Sequence, residues 1–200
     1  MSQSTQERAL WEHAESLELT DAERHAIRLY QAPDLVATAT GSHWKWHELI
    51  NRFLRDTLPP MDQRLERRLA EIVNDLQSAV AKSLLPCPLV VWRGVCDGLG
   101  IYDLERHVGA PVDGRRVVFN GMASCSTRRE IAEDFASFPP VTLFEITIPA
   151  GSNALWVPPW GRESMRRQNE ILLDDETELI IRGVVRETDE TTRVVCEVVP

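Results

Sequence analysis

The sequence predicts an α+β fold, and three observations predict it. Helical periodicity dominates residues 1–85. Short apolar runs broken by Pro, Gly and Asp turns dominate residues 86–200. The two kinds of segment are segregated, whereas a parallel α/β sheet needs a helical crossover after nearly every strand. With 200 residues and ordinary apolar content, the chain is expected to form one domain, with a helical part at 1–85 and a β-rich core at 86–200.

Each element has a local reason. Thr20 and Glu23 have capping-box spacing and start a helix through AERHAIRLYQ. APDLVATATGS reads as a loop. Helical spacing resumes in HWKWHELINRFLRDTL and stops at Pro59 and Pro60. MDQRLERRLAEIVNDLQSAVAKSLL is a long amphipathic helix. The runs LVVWRGV, RRVVFN, VTLFEITI, ALWVP, EILL, ELIIRGVV and TRVVCEVV are strands, interrupted by one helix in TRREIAEDFASF. QNEILL reads as a strand that opens with Gln168 and Glu170 on one face, two residues apart, and is joined to ELIIRGVV by a DDET turn.

Composition excludes several classes. The net charge of −9 argues against a broad phosphate-binding surface, although Arg115, Arg116, Arg128, Arg129, Arg162, Arg166 and Arg167 form three clusters. Solvated loop charges are the plain reading for most of them. The first twenty residues lack the basic start and apolar centre of a signal peptide, and no run of about 18 apolar residues exists. The expectation is therefore no membrane association and action in the cytoplasm, reached by a signal-less route if the target is another cell. Cys87, Cys96, Cys125 and Cys196 include no CxxC pair and read as free thiols. His43 and His47 would share a helix face, but no third ligand stands at a zinc-site spacing, so no metal is expected. Neither GxGxxG after a strand nor GxxxxGKS occurs, and the glycines of GVCDGLG are wrongly spaced.

Three fragments carry chemistry. LVVWRGV places Arg93 at the end of a buried strand, where a charge is costly unless paired and where a planar fork suits a phosphate. MASCSTRREIAEDFA places Ser124 and Ser126 on one strand face ahead of a helix that reaches Phe135. QNE supplies an amide and a carboxylate. Taken singly, these features are most simply a salt bridge, structural hydroxyls and a polar strand edge.

Taken together, WRG, SCS and QNE resemble the ADP-ribosyltransferase toxin family with the Arg–Ser–Glu signature. The subtype they resemble is the Q-x-E one, similar to Rho-modifying clostridial exoenzymes and related bacterial effectors. The stretch LYQAPDLVATATGSHWKWHELINRFLR resembles the family's helix–loop–helix ending in I-N-x-x-L-R, so that the likeness covers roughly residues 20–200. It implies N-terminal helices packed on a two-sheet, mostly antiparallel β core. It also implies that NAD is the substrate. Arg93 would bind an NAD phosphate, with Asn51 and Arg55 assisting. Gly94 would meet the nicotinamide amide through its backbone, and Phe135 would stack on the ring. Ser126 would join the residues that bind NAD. Ser124 would orient Glu170, the catalytic carboxylate, while Gln168 would position the acceptor. The chain departs from Rho-modifying relatives at Phe138, where they often carry arginine. It departs again at Ser164 and Met165, where they carry an aromatic.

The residue types suit the reaction. Cleaving the N-glycosidic bond of NAD builds positive charge on the ribose, and a carboxylate held at the 2′-hydroxyl stabilises that charge more in the transition state than in the ground state. The implied activity is mono-ADP-ribosyl transfer to a macromolecule by a toxin or effector, with an antitoxin or immunity protein as a further partner. A neutral Gln168 favours a non-arginine acceptor: an Asn, Gln or Thr side chain, or a nucleic acid gripped by Arg162, Arg166 and Arg167. The alternatives are an NAD glycohydrolase on the same fold and a catalytically silent binding module.

Overall fold

Local chemistry sets the helix boundaries. In the computed structural model, which describes residues 3–96, 114–136 and 139–199, α1 spans Gln3–Ser16 and α2 spans Asp21–Tyr30. The expected capping box forms: the Thr20 hydroxyl accepts from Glu23 N–H at 3.2 Å, and the Glu23 carboxylate accepts from Thr20 N–H at 2.7 Å. α3 spans Trp46–Leu54, and α4 spans Gln63–Lys82 behind an Asp62 cap.

One stretch departs from expectation. The loop between α2 and α3 holds a hairpin, β1 (Leu35–Ala37) against β2 (His43–Lys45). His43 therefore lies on a strand and His47 on a helix, so the two do not share a helix face. Three-residue strands with mostly exposed side chains leave no periodic apolar signal for a sequence reading to detect.

Glu23 also ties α2 to α4. Its carboxylate is 2 % exposed and accepts from Lys82 Nζ at 2.7 Å and Ser78 Oγ at 2.6 Å. Burial pushes its pKa up, but the bonds from Lys82, Ser78 and the Thr20 N–H outweigh burial and hold it down at about 2. A depressed carboxylate contributes stability that is present above its unfolded value, roughly 4.3, and lost as pH falls towards 2. The difference corresponds to at most about 3 kcal/mol. Urea unfolding between pH 5 and pH 2 should show this loss in the wild-type chain and not in Glu23→Gln. Identical acid dependence in the two would remove Glu23 from the account.

The eight remaining strands are β3 (Leu89–Cys96), β4 (Arg115–Phe119), β5 (Ala123–Ser126), β6 (Val141–Ile148), β7 (Ala154–Trp156), β8 (Glu170–Leu173), β9 (Thr177–Arg186) and β10 (Thr191–Val198). Their order is β4-β9-β10-β6-β3-β5-β8-β7, antiparallel except for β6 with β10. β3 meets β5 at one residue pair, Trp92 with Ser126. This single bridge divides the array into a five-stranded and a three-stranded sheet, and matches the expected two-sheet, mostly antiparallel core. α5 (Arg129–Phe135) packs on β3.

Two apolar layers result. Phe144, Ile146 and Val91 of the larger sheet pack with Ile171, Leu173 and Trp156 of the smaller one, together with Leu10 of α1. The opposite face of the small sheet, Leu155 and Leu172, packs under α2, α3 and α4. β8 is thus buried on both faces, which explains its unbroken apolar run. Glu170 shares its face with Leu172, the side towards the helices.

Candidate active site

The seam between the two sheets positions the site. There β3 contributes Trp92, Arg93 and Gly94, β5 contributes Ser124, Cys125 and Ser126, and β8 contributes Glu170. All line one cavity of about 330 Å³. Tyr30 and Gln31 close it from α2, His47 and Asn51 from α3, and Ile131, Ala132 and Phe135 from α5.

Glu170 is 5 % exposed, and both of its oxygens are held. Ser124 Oγ donates to Oε1 at 2.5 Å, and Gln31 Nε2 donates to Oε2 at 2.6 Å. Burial pushes its pKa above the ordinary carboxylate value, while Ser124, Gln31 and the Arg93 charge pull against burial. Arg93 donates from Nη1 to the Ser124 carbonyl at 2.6 Å and lies 5.7 Å from the Phe119 ring centroid. It sits inside an eight-residue strand rather than at the strand end expected from sequence.

Gln168 departs from the expected strand. It ends a 3-10 helix, Glu163–Gln168, and Asn169 then turns through the left-handed region (φ 45°, ψ 50°) before β8 begins. Asparagine tolerates that conformation better than most residues. Gln168 and Glu170 do line the same cavity, but a reversal of the backbone brings them there instead of a strand pleat. Ser126 locks the reversal: its hydroxyl donates to the Gln168 carbonyl at 2.6 Å, and Thr127 N–H donates to the Asn169 carbonyl at 3.1 Å. The two serines of S-x-S thus have different jobs, one on the carboxylate and one on the segment carrying Gln168.

Arg55 does not reach this cavity. It caps α3, donates to the Asn120 carbonyl at 2.5 Å, and lines a separate cavity with Asp56, Asp175 and Glu176. Asn51 lies between the two, with its Oδ1 buried and unpartnered. Phe135 stands 62 % exposed at the cavity rim, an apolar ring without a packing duty. Phe138 and most of the GVCDGLG stretch lie outside the described residues.

Other groups in the cavity are chemically quiet. Burial pushes the Cys125 thiol up to about 12, so it is no nucleophile at neutral pH. Burial lowers the His47 pKa, keeping the ring neutral there. Among the described residues, no group of three or more His, Cys, Asp or Glu is placed to hold a metal, and no helix is long and apolar enough to cross a membrane. Most of the clustered arginines are engaged: Arg116 with Glu178, Arg128 with Glu130, Arg129 with Glu133 and Glu187, and Arg162 with Asp34.

Gln31 lies in the stretch that resembles the family's helix–loop–helix, but nothing local marks it as a partner of Glu170. It sits 139 residues from Glu170 and looks like an ordinary polar residue at a helix end.

The sequence model of the ADP-ribosyltransferase exoenzyme family matches residues 9–199. No curated protein sequence matches significantly. Among solved structures, the fold is similar to that of C3stau2 from S. aureus, solved with NAD (TM-score 0.72, 18 % identity, covering 100 % of this chain and 96 % of that one). It is similar also to Plx2a, an ADP-ribosyltransferase toxin from Paenibacillus larvae (TM-score 0.69, 18 % identity, 98 % and 94 %). A third is the Vis toxin from Vibrio splendidus (TM-score 0.70, 19 % identity, 100 % and 87 %).

Proposed function

The chain belongs to the ADP-ribosyltransferase exoenzyme family, an NAD-dependent class of bacterial toxins and effectors that transfer one ADP-ribose unit, and we propose that its acceptor is a non-arginine group on a macromolecule. The observation that carries the assignment of the site is Glu170, buried at the sheet seam with one donor on each oxygen and Arg93 alongside.

In this reading Arg93 takes a phosphate of NAD and Phe135 covers the nicotinamide ring. Each carboxylate oxygen of Glu170 has a second lone pair, so the donors from Ser124 and Gln31 leave acceptor capacity for the ribose 2′-hydroxyl. As the glycosidic bond lengthens, positive charge grows on the ribose, and the fixed negative charge of Glu170 stabilises it without reorganising. Nicotinamide leaves neutral, so no acid is required. Asn51 assists on the helical side. Arg55, in its own cavity, is a neighbour of the diphosphate site rather than part of its wall.

Gln168 is the acceptor-facing group. Its amide can donate and accept at once but offers no charge to a guanidinium. An Asn, Gln or Thr side chain is the preferred acceptor. For a nucleic acid, Arg162 is already committed to Asp34 and the Arg28 carbonyl, which leaves Arg166 and Arg167 on the exposed face of the 3-10 helix. Gln168→Ala should lose transfer to target while keeping most of the nicotinamide release, because Glu170 is untouched. Mass spectrometry of labelled lysate checks the acceptor. ADP-ribose found mainly on arginine would overturn this assignment; the Vis structure solved with agmatine makes arginine the natural competing outcome.

A further inference from the structure

We propose that Gln31 is a positioning residue for Glu170, its single side-chain amide holding both the carboxylate and the start of the segment that carries Gln168. The inference rests on the reading of Glu170 given above and goes beyond it, because Gln31 belongs to none of the signature motifs.

The amide is used at both ends. Nε2 donates to Glu170 Oε2 at 2.6 Å, while Oε1 accepts from Arg162 N–H at 2.7 Å. Arg162 is the residue from which the 3-10 helix departs, and its side chain is fastened to the end of α2 through the Arg28 carbonyl and Asp34. The far end of that helix is held by Ser126 on the Gln168 carbonyl. The segment between Arg162 and Gln168 is therefore anchored at both ends, and the first anchor is the same side chain that orients the carboxylate. Gly161 makes room for it. A Cβ there would lie 2.2 Å from Gln31 Oε1 and 2.9 Å from its Cδ, so any side chain at 161 must drive the amide away. The backbone of Gln31 is itself fixed as the cap of α2, donating to the Ile27 carbonyl.

Two consequences follow from losing the Nε2 donor. The carboxylate, held on Oε1 alone, is free to rotate about its last bond, and small misplacements of a reacting group cost large factors in rate. Its ionised form also loses a hydrogen bond in a buried setting, which moves its titration upward. The groups facing Glu170 are Arg93 from β3, Ser124 from β5 and Tyr30 from α2, with the Cys125 thiol nearby on the opposite face of β5. His47 and Lys45 stand across the cavity. Of these, Arg93 supplies the positive charge beside the carboxylate, and a Gln31 substitution leaves it in place.

Three variants test the proposal: Gln31→Leu, Gln31→Glu and Gly161→Ala, each checked for an unchanged thermal midpoint. Steady-state nicotinamide release is measured against pH and NAD concentration. Gln31→Leu should lower kcat about ten- to a hundredfold with KM for NAD little altered, and should move the acid limb up by about one pH unit. Gly161→Ala, which changes no group on the carboxylate itself, should follow it. Gln31→Glu keeps an acceptor for Arg162 N–H but sets a second carboxylate against Glu170, so its acid limb should move further. An active Gln31→Glu beside an inactive Gln31→Leu would mean that the amide only anchors the loop, and would overturn the proposal. So would wild-type kcat and pH profile in both. Carbon NMR titration of the labelled Glu170 carboxylate without NAD reads the same hold directly and should show an upward shift in all three variants; no shift overturns it. A wild-type chain that releases no nicotinamide would sink the assigned reaction, while the NMR titration would still decide the role of Gln31.

Discussion

Glu170→Gln is expected to abolish both transfer and NAD hydrolysis, by at least about a hundredfold in kcat, the scale of removing one preorganised electrostatic group. The substitution keeps shape and burial and removes only the charge. Gln31 would still find an acceptor in the new amide oxygen, and the Ser124 hydroxyl can turn to accept from the new NH2, so NAD binding and the fold should survive. The effect belongs to the chemical step because the charge matters most when the ribose turns cationic. The same reasoning fixes the pH dependence. Burial raises the Glu170 pKa, and in the proposed reaction only the ionised form stabilises the transition state. The rate should therefore fall as pH drops through a value above the ordinary carboxylate range of about 4.3. The acid limb should vanish with the activity in Glu170→Gln. Single-turnover nicotinamide release with calorimetric NAD binding separates chemistry from affinity. A variant that binds NAD normally and still turns over near the wild-type rate would remove Glu170 from the mechanism.

Gly94→Ala is expected to be the most damaging single-methyl change in the site. A Cβ at Gly94 would lie 1.9 Å from the Ala132 carbonyl oxygen and 2.8 Å from the Ala136 Cβ. A backbone oxygen cannot swing aside, so α5 as a whole must retreat. That helix is pinned at its start by Arg129, which pairs with Glu133 and Glu187 and lies 5.1 Å from the Trp92 ring centroid. Retreat strains the contacts to Glu187 and Trp92 and carries Phe135 off the cavity rim. The expected result is a loss of about 1–3 kcal/mol in stability and at least about tenfold weaker NAD binding, by misplacement of the wall that faces the ligand. Gly183→Ala in β9 is the control: nothing lies within 4 Å of its Cβ, so it should be neutral or slightly stabilising. Calorimetry and thermal melts on the pair decide the matter, and a Gly94→Ala protein indistinguishable from the control would contradict the close seating of α5. The glycine of the WRG motif thus has a structural duty alongside any contact it makes with nicotinamide.

The parts of the site that were legible in sequence are those carried by local pattern. The Thr20–Glu23 box, the alternation in VTLFEITI and the spacing of Ser124 and Ser126 depend on neighbours a few residues away, and each recurs where expected. The order of WRG, S-x-S and Q-x-E along the chain was enough to bring Arg93, Ser124 and Glu170 together on paper. The sheet seam brings them together in space. Where the structure departs from expectation, a local pattern has two solutions. QNEILL satisfies strand alternation, but Asn169 takes the left-handed conformation and ends the strand at Glu170, because Ser126 and Thr127 offer hydrogen bonds to the reversed backbone. Asn51 and Arg55 are one helical turn apart, yet the second reaches Asn120 and a different cavity, because α3 ends at Leu54.

By itself the sequence determined the α+β class, the strand content and the family, since periodicity, capping chemistry and the motifs themselves are read from short stretches and from their order along the chain. Only the tertiary structure decided that Gln31 holds Glu170, that Gly161 and Gly94 are spaces kept for neighbours, and that Arg55 stands apart. The physical reason is one of range. A side chain's partner across 139 residues is set by how the helical layer packs on the outer face of β8, and no short stretch of sequence encodes that distance.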